Sequence, residues 1–232
     1  PKEEKTIDAA EARAAMDDGW FVWLDIDLRM EGWRTALDAL GCVHPEVLED
    51  ALQGEPATQV ARYDSCLHVA LTACRMGEKG FELDRVDLVA GERYLLTMHR
   101  CAPLFLRRTK KHYRDDFKRF ARSSSFLVYE IWDHLIDEYL EVQKLFEERV
   151  ERVQVGLTTL VDDAIFAKIS SLGSDLLHFR KVLLPARSVL IDLSTRKSPF
   201  ISEATMPFLQ NMVGTVDHVL QDLLVDRDIL SE

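Results

Sequence analysis

The segment from about Ser202 to Glu232 sets the strongest constraint on what this chain can fold into. Its apolar residues recur at alternating steps of three and four, which places them in one stripe along a helix. The stripe comprises Leu209, Val213, Val216, Leu220, Leu223 and Leu230, and Arg227 occupies the slot that interrupts it. At about 1.5 Å per residue such a helix reaches roughly 40 Å, longer than most helices in compact domains. The pattern therefore predicts a long helix that packs against other helices.

The end of this helix has two interpretations. No Gly, Asn or Pro follows Leu230, so the usual signals for a helix C-terminus are missing from the sequence. Either the helix continues in a longer protein, or the protein simply ends in a helix. On the first interpretation the 232 residues are a fragment.

Two further long helices precede this one. Residues 126–158 and 165–193 each keep an apolar face, and Pro185 predicts a kink in the second. Residues 123–125, three serines, are a natural helix N-cap and the best domain boundary. Before them, short helices and alternating strand-like runs indicate a mixed α/β region, in which Trp20–Ile26 reads as an inner strand covered on both faces. The fold class is α+β, with one domain over residues 1–125 and a helical domain over residues 126–232.

Composition narrows the classes of partner. The chain has 47% apolar residues and a net charge of −11, which argues against general nucleic-acid binding and suits cationic partners. The helix predicted at residues 103–122 is rich in Lys and Arg, but aspartates interrupt it, and a solvated helix face explains it better. The sequence has no run apolar enough to span a bilayer and no signal peptide, so we expect these residues to be soluble.

The cysteines and histidines allow one metal hypothesis. The four cysteines are expected to be reduced thiols in a cytosolic protein. Cys66 and His68 are two residues apart on one predicted strand, as are His99 and Cys101 on another. If those two strands were adjacent, the four side chains could bind zinc; ordinary core packing is the alternative.

Two pairs of carboxylates suggest a hard divalent cation. Asp133 and Asp137 are four residues apart on one helix face, where like charges repel, and Glu49 and Asp50 lie at the end of a short helix. Such oxygen-rich sets suit Mg²⁺, although each pair alone is also typical of a solvated helix face. Motifs for phosphate loops, dinucleotides, zinc helices and nucleophile elbows are missing from the sequence, so we expect no enzyme.

Four stretches in order resemble the CorA family of magnesium channels. They are residues 44–50 (HPEVLED), 126–139 (FLVYEIWDHLIDEY), 183–187 (LLPAR) and 225–229 (VDRDI). The resemblance covers about Trp23 to Glu232. It implies a three-layer α/β/α domain with a mixed sheet, then three long antiparallel helices of which the last is a stalk that leads to a first membrane span beyond this sequence.

The resemblance also implies a function. A member of the family is a homopentamer at the cytoplasmic face of the cell membrane, and Mg²⁺ between neighbouring cytosolic domains holds its pore closed. It implies that Asp50 and Glu49 sense the ion and that Asp133 and Asp137 belong to a second site. Asn211 stands where the family has an aspartate, so we expect weaker or altered sensing. Co²⁺, Ni²⁺ and Zn²⁺ are further candidate ions, and we expect no nucleic-acid partner.

Alternatives remain at this point. The zinc-transporting branch of the same family shares the fold, and the Cys/His set is its support. A soluble scaffold that oligomerises through its long helices is a different class, as is a metal-dependent hydrolase. The carboxylates lack a nucleophile or base nearby in the sequence, which places the hydrolase third.

Overall fold

The computed structural model describes residues 5–77, 80–101, 103–121, 123–159 and 163–231. Helices and strands are mixed before residue 126, and the elements after it are helices. The helices are α1 Ala9–Asp17, α2 Trp33–Leu40, α3 Pro45–Gln53, α4 Leu104–Phe120, α5 Phe126–Thr159, α6 Asp163–Thr195 and α7 Met206–Ser231. The strands are β1 Val22–Asp27, β2 Gln59–Arg62, β3 Leu67–Gly77, β4 Gly80–Ala90 and β5 Tyr94–His99. The α+β class and the three long helices are confirmed.

The five strands form one mixed sheet in the order β1-β5-β4-β3-β2. β1 pairs with β5 in parallel, and the other neighbours are antiparallel. The prediction that residues 20–26 form an inner strand is wrong, because β1 lies at a sheet edge. Trp23 of this strand packs edge-on against Tyr113 of α4, with ring centroids 5.6 Å apart. A strand at the edge of a sheet can therefore carry an apolar run, because a helix that packs on it also buries its side chains.

Helices cover both faces of the sheet, which confirms the three layers. Strand residues alternate between faces, so Leu95 joins one core and Leu96 joins the other. The first core includes α4 to α7, and the second includes α1 to α3. Because α5 packs directly on the sheet, where Tyr139 donates a hydrogen bond to the Thr72 carbonyl at 2.6 Å, one core runs across residue 125. The division into domains at that residue stays a prediction.

The long helices run up, down and up. Pairs between α6 and α7 proceed in opposite directions, as Arg187 binds Asp217 while Ser194 meets Gln210. At their starts, α5 and α7 are joined by a hydroxyl cluster, in which the side chains exchange hydrogen bonds. The hydroxyl cluster consists of Ser123, Ser125, Ser202 and Thr205. Ser123 and Ser125 therefore fasten two helices together.

The buried stripe of α7 differs slightly from the predicted one. Leu209, Val216 and Leu223 are buried as expected. Arg227 does not occupy the inward slot, because it is exposed and pairs with Asp228. Asp226 occupies that slot and is 6% exposed. The buried face near the end of α7 therefore runs through Leu223 and Asp226.

Candidate ion-binding site

Helix α3 holds Asp50 in a fixed place above the sheet. Pro45 occupies its first turn, where a missing N–H leaves nothing unpaired. At its other end the Arg100 guanidinium donates hydrogen bonds to the carbonyl oxygens of Ala51 and Leu52 at 3.2 and 2.7 Å. A cation at a helix C-terminus also offsets the partial negative charge of the helix dipole. Asp50 thus sits in the last turn of a capped helix.

The Asp50 carboxylate has one oxygen bound and one free. Its Oδ2 atom accepts a hydrogen bond from Gln59 Nε2 at 2.7 Å and another from Arg85 Nη2. Within the described ranges, Oδ1 accepts no hydrogen bond, and the side chain is 31% exposed. Glu49 beside it is exposed. The site can therefore present one carboxylate oxygen from Asp50, and the Glu49 carboxylate, to a ligand outside.

Beneath Asp50 lies a buried network of charged side chains. Arg85 and Asp87 are two residues apart on β4 and share one face of the sheet. Arg85 binds both Asp87 oxygens, with Nε 3.0 Å from Oδ2 and Nη2 2.7 Å from Oδ1, and its Nη1 reaches the Glu55 carbonyl at 3.0 Å. The His68 Nε2 atom lies 2.8 Å from Asp87 Oδ1. Burial works to lower the pKa of Arg85, but Asp87 and Asp50 outweigh it and raise that pKa.

This network does not suit a metal of its own. In the part of the chain that the structure describes, Asp50, His68 and Asp87 are the one set of three or more Asp, Glu, His and Cys side chains whose ligand atoms lie within 4.8 Å. The Arg85 guanidinium already binds both carboxylates of that set. A second cation would be repelled at that distance. The arginine therefore takes the place that a metal ion would need.

The other predicted ligands lie elsewhere. Asp133 is half-buried on α5, whereas Asp137 on α5 and Asn211 on α7 are exposed. Burial raises the pKa of Asp133, and the charge of Asp137 raises it further. The structure thus brings Asp133 and Asp137 into electrostatic contact, as their spacing predicted. Their role as ligands stays a prediction, as does that of Asn211.

Asp133 belongs to a larger acidic cluster than the sequence suggested. Glu130, one turn earlier on α5, is 3% exposed and accepts no hydrogen bond from the described residues. Burial, together with the charges of Asp116 on α4 and of Asp133, raises the pKa of Glu130 to about 7. Negative charge therefore accumulates where α4 crosses α5.

The predicted zinc set does not form. β4 lies between β3 and β5, so the strands that carry His68 and His99 are not adjacent. Each histidine pairs with an aspartate instead, His68 with Asp87 and His99 with Asp25 at 3.2 Å. Burial works to raise the pKa of Asp25, but hydrogen bonds from His99, Lys110 and Thr97 lower it to about 2. Each imidazole thus has an aspartate beside Nε2, whereas Nδ1 of His99 is buried without a hydrogen-bond partner among the described residues.

Comparison with known proteins resolves the family. The model of the family described as CorA-like Mg²⁺ transporter protein matches residues 18–232. The chain belongs to this family. The resemblance to the CorA family is thus confirmed, and the fold agrees with that assignment.

Relatives and a solved structure support the assignment at low sequence identity. The cobalt/magnesium transport protein CorA of Thermotoga maritima is 21% identical over 237 residues, with 99% of this chain and 67% of that protein covered. The Bacillus subtilis protein YfjQ is 22% identical over 174 residues, with 75% and 54% covered. The soluble domain of CorA from Methanocaldococcus jannaschii superposes with a TM-score of 0.80 at 18% identity, covering 93% of this chain and 87% of that one.

The matched relatives are longer than this chain, which spans about half of YfjQ and two thirds of the Thermotoga CorA. None of the described helices is both long enough and apolar enough to cross a membrane.

Arg85 is the site residue that sequence reasoning missed. The sequence carries a signal, because Arg85 and Asp87 alternate with Val86 and Leu88 in the half of the strand that ends with apolar residues, Val89 and Ala90. Two charges on one inward face of a strand indicate a buried ion pair. Arg85 matters to this site because it binds one oxygen of Asp50 and leaves the other without a hydrogen bond from the described residues.

Proposed function

We propose that this chain is the ion-sensing and gating domain of a homopentameric CorA-like Mg²⁺ channel at the cytoplasmic face of the cell membrane. It works by binding and conformational change, without catalysis. Membership of the CorA-like family and the fold shared with the Methanocaldococcus CorA soluble domain support this. The membrane spans of such a channel lie outside these 232 residues.

The observation that carries the proposal is that the two oxygens of the Asp50 carboxylate have different surroundings. Arg85 and Gln59 fix Oδ2, so the side chain has lost most of its rotational freedom before any ion arrives. Oδ1 points to no hydrogen-bond donor in the described residues and the side chain is partly exposed. Mg²⁺ keeps several waters and takes only one or two carboxylates, which a single ordered oxygen beside Glu49 can satisfy.

Binding between protomers would couple ion concentration to the closed state. A cation that bridges Asp50 to a neighbouring protomer only in the closed arrangement stabilises that arrangement by RT ln(1 + [L]/Kd), about 2.7 kcal/mol at 100 times Kd. When the ion leaves, carboxylates of adjacent protomers repel each other. The interface then loosens and α7, as the stalk, can move.

A second ion position at Asp133, Asp137 and Asn211 belongs to the same proposal. Burial together with the charge of Asp137 makes ionisation of Asp133 unfavourable, and a divalent cation there would relieve that cost. Asn211 can ligate through its amide oxygen or hold a water on a hydrated ion, but it brings no charge. We expect this position to be the weaker of the two.

The test is a Mg²⁺ titration of the melting temperature of the purified chain. Asp50→Asn should reduce the Mg²⁺-dependent rise, whereas Glu46→Gln, an exposed carboxylate on the same helix, should leave it unchanged. The comparison uses the rise and not the absolute melting temperature, because Asp50→Asn also weakens the Arg85 pair. An unchanged rise in Asp50→Asn would remove Asp50 as the sensor. A rise with Zn²⁺ but none with Mg²⁺ would favour the zinc-transporting branch.

A further inference from the structure

Two histidines face each other where α4 crosses α5. The rings of His112 on α4 and His134 on α5 have centroids 6.1 Å apart. The helices run antiparallel here. Arg108 binds Glu141 at 2.8 Å, and His112, one turn later on α4, meets His134, which comes earlier on α5. The pair therefore lies in a fixed helix crossing and not on a mobile loop.

The His134 ring has no hydrogen bond that explains its position. Its side chain is only 13% exposed, and both Nδ1 and Nε2 are buried without a hydrogen-bond partner within the described ranges. Buried imidazole nitrogens are normally paired, and an exception calls for an ion, a water or a functional role. His68 and His99, the other buried histidines, each have an aspartate beside Nε2, although Nδ1 of His99 also lacks a partner among the described residues.

Carboxylates surround the pair. Asp137 Oδ2 lies 3.6 Å from His134 Nδ1, just beyond hydrogen-bond distance. Asp133, next to His134 in the chain, is close enough for the His134 charge to influence its pKa. Arg108, one turn before His112 on α4, is bound to Glu141 and does not fill this site as Arg85 fills the one beneath Asp50. Asp133 and Asp137 supply negative charge beside His134.

We propose that His112, His134 and Asp137 bind a transition-metal cation, such as Zn²⁺ or Co²⁺, between α4 and α5. Imidazole nitrogen together with a carboxylate selects these ions over Mg²⁺, which prefers oxygen. The ligand atoms of these three side chains do not all lie within 4.8 Å of one another, so the side chains must move together to reach metal–nitrogen distances of about 2.0–2.1 Å. His112 can supply that movement, because its side chain is exposed and makes no hydrogen bond to the described residues. The site lies within one protomer and does not depend on Asp50.

The consequence is a second metal input to the same domain. A cation held by both helices fastens α4 to α5, which carries the acidic positions Asp133 and Asp137. Because Asp137 serves both sites, a bound transition metal would withdraw it from Mg²⁺. Scarce transition metals and abundant Mg²⁺ would then act on one helix through different side chains.

The test is titration of the purified chain with Zn²⁺ by calorimetry and with Co²⁺ by visible absorption. The unmodified chain should bind one ion, and the spectrum of the Co²⁺ form should show nitrogen ligation. His112→Ala and His134→Ala should each weaken binding by more than about tenfold, since even the loss of an outer-shell partner costs 10–100-fold. His178→Ala, which removes an exposed histidine on α6, and Asp50→Asn should leave the affinity unchanged.

Two outcomes would overturn the proposal. One is Zn²⁺ and Co²⁺ affinity that stays within about twofold of the original in His112→Ala, a variant whose exposed position spares the fold. The other is a Co²⁺ spectrum of the unmodified chain without nitrogen ligation, which would show that oxygen ligands suffice. Binding through the cysteines would persist in both histidine variants and would count against the site. Loss of the Mg²⁺ response in Asp50→Asn with Zn²⁺ binding intact would separate this proposal from the one on Asp50.

Discussion

The guanidinium of Arg85 on β4 binds the carboxylate of Asp50 on α3, and so ties the helix that carries the proposed ion ligand to the middle of the sheet. The same guanidinium neutralises Asp87, which is 2% exposed. Arg85 thus pairs with two carboxylates, that of Asp87 in the core and that of Asp50 at the surface, where the ion is proposed to bind.

Replacing Arg85 by Met should therefore be costly. Asp87 would keep its contact with His68. It would lose Arg85, which among the described residues is its only partner with a permanent positive charge. Removing one partner of a buried pair typically costs about 3–5 kcal/mol, which chemical denaturation would measure. Arg75→Met is the control, because Arg75 pairs with Glu82 on the surface at 57% exposure and should cost less than about 1 kcal/mol. Equal losses in the two variants would contradict a special role for Arg85.

Asn211→Asp should strengthen the response to Mg²⁺. The change adds a charge on α7 at the position where the family resemblance places an aspartate, and a carboxylate holds Mg²⁺ or its waters more strongly than an amide. The Mg²⁺-dependent rise in melting temperature should increase. Gln221→Glu adds the same charge at an exposed position of α7 about 15 Å away. A larger rise in the control than in Asn211→Asp would argue that general charge, and not this site, sets the response.

Asp226 should make the stability of the chain depend on pH. Burial, together with the charges of Glu147 on α5 and Asp222 on α7, raises the pKa of Asp226 to about 6. The folded state thus binds a proton that the unfolded state has lost between about pH 4 and pH 6. Stability from this group is present below that window and declines as pH rises through it.

Asp226→Asn tests this directly. At pH 7.5 the variant should be more stable by roughly 1–2 kcal/mol, and the difference should shrink towards pH 4.5. Denaturant titrations at several pH values would show it. Asp228→Asn removes an exposed carboxylate two residues away and should give parallel curves. A difference that grows towards low pH would mean that Asp226 is stabilising as an anion.

Phe179 should be essential for the attachment of α6. Its ring is fully buried and lies 5.8 Å from Phe81 of β4 and 5.7 Å from Phe146 of α5, centroid to centroid. Phe179→Ala should cost about 3–5 kcal/mol of unfolding free energy. Phe166→Ala, on the same helix but 56% exposed, should change it by less than about 0.5 kcal/mol. A small loss at Phe179 would mean that α6 packs on the sheet mainly through other residues.

The three long helices and their directions could be predicted from the sequence, but the order of the strands in the sheet could not. The periodic apolar residues of α5, α6 and α7 are local signals, so their helices and directions followed from spacing and short connections. The zinc hypothesis required β3 and β5 to be neighbours, and β4 separates them. No local pattern in His68 or His99 reports which strand lies between them.

The site shows the same division. The position of Asp50 on a capped helix followed from Pro45 and the family resemblance. Its partner Arg85 comes from a strand thirty-five residues away, and only the assembled sheet brings the two together. The pairing of His112 with His134 likewise depends on how α4 crosses α5, which the basic composition of α4 conceals.

The hydroxyl cluster gives α7 two unequal ends. At its start, four side chains hold it to α5 with uncharged hydrogen bonds that neither pH nor salt disturbs. Near its far end, Asp226 is close enough to Glu147 of α5 for that charge to raise its pKa, and Gln143 of α5 donates hydrogen bonds to Glu147 and to Asp222 of α7. If α7 tilts, the hydroxyl cluster is its fixed point and the helix moves away from α5 at Asp226. A small increase in repulsion between Asp226 and Glu147 then displaces the far end of α7 the most.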